Sequence, residues 1–385
     1  ALLLGIMTMF IIHRNRLLLP AMFFFTVLPA LAGGDQMGFT SYFFSDSGDN
    51  SVITTSFNLA KKIFRQTALL IDIELDQVTV PPVTAVTGAT RPQRRASEAF
   101  EKSRGQVILG VEQGFGKNTT VAANVYRSQE VDYVSTAIIG TISQELNDNN
   151  TTITLRGQYN ADQVGKILPN SDLLNRSKKV VTGSLNVTQL LSPTTVLDAG
   201  YDIVHLTGYL SDPYRQVRVT DNSGVFVMTE ELHPSKRTRH AVSARVSQMI
   251  PAIKASLIGG YRYYFDSWKV RSHTAEVKLN KYVINDLIFG VNYRYYAQGA
   301  AYFTKEKYVG QQFVSDGLRT ADYKLKQFGS NNFGFSLEYL LRGVGKMNPD
   351  LEFLESSSIE IMYFRYFNDL DFSANIVQAS LKFSI

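Results

Sequence analysis

The sequence predicts an all-β fold, a transmembrane antiparallel up-and-down β-barrel of about 16 strands with long extracellular loops. Three observations lead there. First, residues 253–298 hold three successive runs in which apolar and polar residues alternate, the period-two pattern of a strand. Leu257, Tyr261, Tyr263 and Phe265 share one face of the first run, Ala275, Val277 and Leu279 of the second, and Phe289, Val291, Tyr293 and Tyr295 of the third. Arg262, Asp266, Glu276, Lys278 and Arg294 take the opposite face. Runs of more than about ten residues exceed the usual strand of a soluble sandwich and suit a barrel that meets lipid on one side and a lumen on the other. Second, outside the N-terminus no stretch supplies the ~20 apolar residues of a spanning helix. Third, the links between successive strand candidates alternate in length, as short periplasmic turns and longer outer loops do.

The N-terminal segment reads as a Sec signal peptide over residues 1–32. His13, Arg14 and Arg16 form its positive region, Leu17 to Leu28 its apolar region broken by Pro20, and Ala30-Leu31-Ala32 its small-residue cleavage site, with Met7 or Met9 as the start. The barrel domain then occupies residues 33–385. Alternation places its strands at 38–46, 51–61, 67–78, 105–114, 119–131, 133–145, 151–163, 179–190, 195–210, 239–250, 253–266, 270–282, 287–302, 332–341, 357–368 and 372–385. With the N-terminus on the periplasmic side, the long links 79–104, 164–178, 211–238 and 303–331 all face outward, while link 342–356 is long on the periplasmic side and breaks the rule.

Composition supports an envelope location and removes other classes. The 385 residues include 20 Tyr and 24 Phe against one Trp, which suits aromatic girdles at two membrane interfaces. No cysteine is present, so disulfides and thiolate metal sites are excluded. The excess of 39 basic over 34 acidic residues, a formal charge of +5, is too small to argue for nucleic acid.

The face opposite the apolar one defines the candidate lumen lining: Asp72, Glu74, Asp76, Arg156, Asp198, Asp202, Arg245, Arg262, Glu276, Lys278, Arg294, Glu338 and Glu360. Both signs occur on neighbouring strands, where opposite charges support a sheet, so cross-strand ion pairs bracing a wet interior are expected. Asp72, Glu74 and Asp76 form the one single-sign cluster, but alternate residues of a strand lie about 7 Å apart, too spread for a metal site without help from other strands. The four histidines of the barrel domain, His205, His233, His240 and His273, sit in no nucleophile and base pattern, so no catalytic residue is expected. GVEQGFGK at 110–117 lacks the order of a phosphate loop. The basic residues of the outer links, Arg91, Arg94, Arg95, Lys102 and Arg104 in one and Arg215, Arg218, Lys236 and Arg237 in another, are candidates for lipopolysaccharide phosphates or an anionic solute.

Three resemblances add to this. The last strand, ANIVQASLKFSI, resembles the signal by which the barrel-assembly machinery recognises its substrates, with Ile385 where Phe is usual and Phe383 two positions earlier. Thr87-Gly88-Ala89-Thr90 is similar to the core of the motif at which extracytoplasmic flavin transferases attach FMN, which implies Thr90 as the acceptor; Thr84 stands where that motif usually has an acid. The blocks SQEVDY (128–133), GYLSDPYR (208–215), ELHPSKRTRHA (231–241), YRYYFDSW (261–268), SHTAEVKL (272–279), YRYYAQ (293–298) and ADYKLKQFG (321–329) resemble a family of outer-membrane barrels known only as a domain of unknown function. That resemblance implies the company of flavin transferases and thioredoxin-like proteins. The expected function is a passive, porin-like channel in the outer membrane of a Gram-negative bacterium. The alternative is a non-conducting envelope scaffold or redox accessory that docks a protein partner, flavinylated on loop 79–104.

Overall fold

The computed structural model describes residues 35–80, 100–167, 173–220, 223–309 and 317–384. Its strands are β1 (Gln36–Asp46), β2 (Ser51–Phe64), β3 (Thr67–Val80), β4 (Phe100–Phe115), β5 (Thr119–Gln129), β6 (Tyr133–Leu146), β7 (Thr151–Ile167), β8 (Leu173–Ser192), β9 (Thr195–Gly208), β10 (Gln216–Thr220), β11 (Phe226–Glu230), β12 (Lys236–Ile250), β13 (Ala255–Asp266), β14 (Arg271–Ile284), β15 (Leu287–Gln298), β16 (Tyr308–Val309), β17 (Phe328–Leu340), β18 (Ser358–Asn368) and β19 (Ser373–Ser384). Sixteen of them close into one antiparallel barrel in chain order, and β19 pairs with β1 from Gln36↔Ser384 to Asp46↔Ala374. Closure leaves no unpaired sheet edge, which is what lets strands cross a bilayer. β10, β11 and β16, read from sequence as parts of loops, form a separate three-stranded sheet.

Boundaries differ from the alternation where the chain leaves the membrane. β7 and β8 pair as far as Ile167↔Leu173, consuming most of the expected link 164–178, because Lys166, Asn175 and Arg176 are polar on either face and carry no alternation while the backbone ladder continues. β15 stops at Gln298, since Ala301 and Tyr302 donate their N–H groups to the carbonyls of Leu325 and Trp268 instead of to a neighbouring strand. β9 ends at Gly208 with φ of 106°, where an added Cβ would meet the Ser177 carbonyl. Asn147, Asp148 and Asn149 all take positive φ in the turn between β6 and β7, which short polar side chains tolerate.

The described parts of links 209–235 and 299–327 lie at one end of the barrel, and the two-residue turns 65–66, 193–194 and 285–286 at the other. That asymmetry marks the first end as the outer one. The link 341–357 is the long inner connection, folded into a short helix (Arg342–Gly345) and a 3-10 turn (Pro349–Leu354).

On every barrel strand one face is apolar and exposed. On β13 it is Leu257, Tyr261 and Phe265; on β15, Phe289, Val291, Tyr293 and Tyr295. Aromatic rings mark both margins of this band, Tyr201, Tyr261, Phe265, Tyr295 and Phe367 toward the outer end and Phe115, Phe289 and Tyr339 toward the inner end. Sixteen strands about 4.8 Å apart, tilted about 40°, enclose a circle about 30 Å across between backbones.

Candidate functional site

The face turned away from the apolar band is the concave one, and its polar residues are occluded: Glu74, Gln106, Glu112, Ser128, Asp162 and Ser380 are all buried. Cross-strand register puts the sequence-derived lining residues on this face. Asp72, Glu74 and Asp76 lie on β3, Arg156 on β7, Asp198 and Asp202 on β9, Arg245 on β12, Arg262 on β13, Glu276 and Lys278 on β14, Arg294 on β15, Glu338 on β17 and Glu360 on β18.

The wall from β3 to β8 is internally paired. Arg104 Nη2 lies 2.6 Å from Glu74 Oε1 and its Nε 2.9 Å from Asp76 Oδ2, while Thr54 donates to Asp76 at 2.6 Å. Glu74 and Asp76 are therefore both engaged by Arg104, while Asp72 lies outside this pairing. Arg104, which the sequence placed in a loop, stands on β4 directly opposite Asp76. Above it Lys102 pairs with both Glu130 and Asp132, and Lys178 lies 3.0 Å from Asp162, which also accepts from Tyr133 and Ser135. Toward the inner end Lys382 separates the directly opposed Glu338 and Glu360, 3.9 and 2.8 Å away.

The wall from β12 to β15 is different. Glu276 is its one mid-height carboxylate; Arg245 Nη2 reaches it at 3.2 Å, and Arg294 faces it directly in register. Arg262 occupies the diagonal position on β13 and Lys278 the next inward position on β14. Diagonal and i+2 neighbours in a sheet lie about 7–8 Å apart. Four cationic side chains thus lie around Glu276, and although Asp198 on β9 directly opposes Arg245, strands β12–β15 keep net positive charge here.

Over this wall the outer links form a packed unit. Trp268, Val270, Ala301, Phe303 and Leu325 make one buried cluster, and Val217, Val219, Tyr308 and Ala321 a second. Asp266, whose side chain is wholly buried, receives Arg237, the Tyr264 hydroxyl at 2.6 Å and the backbone N–H groups of Trp268 and Val270 at 2.9 and 3.0 Å. Arg237 also lies 4.1 Å over the Trp268 ring. Glu231 joins the links: it accepts from Thr320 Oγ1 and the Ala321 N–H at 2.8 Å each, and Arg215 lies 3.4 Å from both Glu231 and Asp322. His233 packs against Trp268 and Phe303 and donates from Nδ1 to the Leu210 carbonyl at 3.0 Å.

Titration reflects this packing. Burial alone would raise the Glu231 pKa, but His233, Arg215 and the Thr320 hydroxyl hold it below the usual carboxylate range. For Arg215 burial works downward and is outweighed by Asp322, Glu231 and Asp212. Burial pushes the Lys324 ammonium down to about 8, partly offset by Asp322.

Signals for these mouth residues were present as Asp, Glu and Arg within the quoted blocks, but nothing in strand periodicity links residues 90 positions apart. Of the basic residues assigned to outer loops, Lys102, Arg104, Arg215 and Arg237 are consumed by internal ion pairs, and Arg218 lies 4.0 Å over the Phe226 ring. Thr90 and the signal peptide fall outside the described residues. Among the described residues no His, Cys, Asp and Glu group has metal-holding geometry.

A closed barrel with an apolar outer band and a polar interior is an integral outer-membrane β-barrel protein. Residues 82–177 and 166–385 match the family described as "Protein of unknown function (DUF3570)", and the chain belongs to that family. No curated protein matches it. Among solved structures it is similar to the ferric enterobactin receptor PfeA of Pseudomonas aeruginosa, with 11% identity, 87% of this chain and 53% of that chain covered, and a TM-score of 0.47. The chain thus spans about half the length of that receptor. It is also similar to Acinetobacter baumannii OccAB1 (10% identity, 91% and 96% covered, TM-score 0.45) and to Pseudomonas aeruginosa OpdK with vanillate (9% identity, 91% and 98% covered, TM-score 0.42).

Proposed function

We propose that the chain is a passive, porin-like channel whose interior carries both charge signs on separate walls, and that it is not an enzyme. The observation that carries this reading is the β12–β15 wall, where Arg245, Arg262, Lys278 and Arg294 face the interior around Glu276. An excess of cations along one wall is what a passing anionic group requires. The separations of about 7–8 Å are within a Debye length at physiological salt, so the wall acts as one field. A barrel of this size has room for an aqueous path. Purified protein added to a planar bilayer should give stepwise conductance, with a reversal potential displaced toward the anion in a salt gradient. A barrel that stays silent across salt and voltage overturns the reading.

A second reading, a non-conducting scaffold or redox accessory, has one observation in its favour: the packed unit formed by links 209–235 and 299–327 offers a folded outer surface rather than open loops. On this reading an envelope protein docks there, and Thr90 carries FMN. Intact mass of the mature protein decides the second point, since covalent FMN adds its mass to the chain and its absence removes the flavin.

A further inference from the structure

The outward face of the barrel carries a second charged feature, unrelated to the interior. Lys179 on β8, Thr207 on β9 and Lys236 on β12 share one cross-strand row at the outer end. Trp268 Nε1 donates to the Lys236 carbonyl at 2.9 Å, which sets Lys236 beside the turn carrying Lys269, and Arg271 follows on β14. Lys179, Lys236, Lys269 and Arg271 are all exposed. None of the four forms an ion pair among the described residues, and the outward faces of β8, β9, β12, β13 and β14 carry no acidic residue. The contrast is with Lys102, Arg104, Lys178, Arg215 and Arg237, which face the interior near the mouth and are each paired with a carboxylate.

Immediately toward the membrane lies a belt of aromatic rings and histidines. His205 meets the Thr238 hydroxyl at 2.9 Å, His240 the Tyr201 hydroxyl at 2.8 Å and His273 the Tyr261 hydroxyl at 2.5 Å, each through Nδ1. With Nδ1 engaged by the hydroxyl, each ring keeps Nε2 for a further polar contact. His240 stacks on Phe265 and His273 leans on Tyr263, which holds the rings in the wall. Polar-tipped rings of this kind sit at headgroup level, so the four cations stand where the outer leaflet carries its phosphates.

We propose that this face binds the phosphorylated headgroup of lipopolysaccharide. Lys179, Lys236, Lys269 and Arg271 pair its phosphates, and the histidine and tyrosine belt lies against the sugar and the start of the acyl chains. Two lysines on strands two apart stand about 10 Å from each other, enough for one phosphate between them. The proposal is independent of whether the barrel conducts.

The test uses the full barrel in detergent, with native mass spectrometry as readout and bisphosphorylated lipid A, its dephosphorylated form, phosphatidylethanolamine and inorganic phosphate as separate probes. Bisphosphorylated lipid A should bind at least about tenfold tighter than the dephosphorylated form, because each basic residue near an anionic surface adds to the attraction. The quadruple variant K179A/K236A/K269A/R271A should lose that difference while keeping its heat-modifiable migration, the sign that the barrel is closed. H240A, which leaves the cations in place, should weaken lipid A less than the quadruple variant does. Equal binding of both lipids, equal binding by the quadruple variant, or competition by inorganic phosphate at equal concentration overturns the proposal, as does occupation of the face by a copurifying protein in place of lipid.

Discussion

Asp266→Ala isolates the outer unit from the barrel beneath it. The side chain accepts from Arg237, Tyr264 and two backbone N–H groups of the turn 267–270, and is wholly buried. Removing it strands the Arg237 guanidinium next to Arg239, which is itself buried. Removing one partner of a buried pair costs about 3–5 kcal/mol, which shifts the local opening of the turn by more than about a hundredfold. The barrel ladder is untouched, because Asp266 terminates β13 and only its side chain changes. Trp268 is the chain's one tryptophan and sits in the core of the unit, so its emission reports the opening without any label. The expected result is a red-shifted emission and stronger acrylamide quenching in D266A, with an unchanged β-sheet dichroism. D266N keeps an acceptor for the turn N–H groups but not the charge for Arg237, and should fall between. Wild-type emission and quenching in D266A would refute the claim that this carboxylate holds the unit together.

Three further outcomes follow from the same contacts. Glu276→Gln removes the carboxylate that β14 places among Arg245, Arg262, Lys278 and Arg294; a unit charge at about 7 Å is worth roughly 0.6–2.4 kcal/mol for effective dielectrics of about 80 to 20, so the anion-to-cation permeability ratio should rise at least about twofold in bilayer recordings. Lys324, held down to about 8 by burial against 10.5 for a free side chain, binds its proton less readily folded than unfolded. The sign is therefore that its charged form destabilises the outer unit below about pH 8 and that the penalty is lost as pH rises from there to 10.5, so Trp268 quenching should decrease over that window and lose this component in Lys324→Met. Gly208→Ala places a Cβ on a residue with φ of 106° and against the Ser177 carbonyl; a strain of about 1–3 kcal/mol should appear as faster proteolysis of link 209–235 with the barrel intact.

The barrel was legible because its physics repeats every two residues. Lipid on one side and polar groups on the other imprint alternation along each strand, so 51–61, 119–131 and 287–302 were found from composition alone, with errors only at the ends. Where that constraint stops, the sequence falls quiet. Lys166, Asn175 and Arg176 continue β7 and β8 without any apolar stripe, and Arg104 and Arg237 read as loop residues although each stands on a strand against a carboxylate. The three carboxylates of β3 looked like an acidic patch because the arginine that pairs with Asp76 and Glu74 comes from 28 and 30 positions away, across a loop. The unit of β10, β11 and β16 was invisible for a similar reason: Val219 pairs with Tyr308, and Glu231 with Thr320, through tertiary contact rather than local pattern.

The blocks that carry the family resemblance meet in space at the outer mouth. Glu130 and Asp132 hold Lys102; Arg215 and Glu231 hold Asp322 and Thr320; Arg237 and Asp266 hold Trp268. These pairs fix where the links sit, whereas Arg245, Arg262, Lys278 and Arg294 lie deeper, around Glu276. On the channel reading a solute bound for the cationic wall passes the packed unit first, so the two proposed functions differ in what D266A does to current. In a channel the unit is the constriction, and loosening it should raise single-channel conductance while the preference for anions, set by the wall below, stays as it was. In a scaffold the barrel remains silent in both proteins, and only the docking of a partner to the unit is lost.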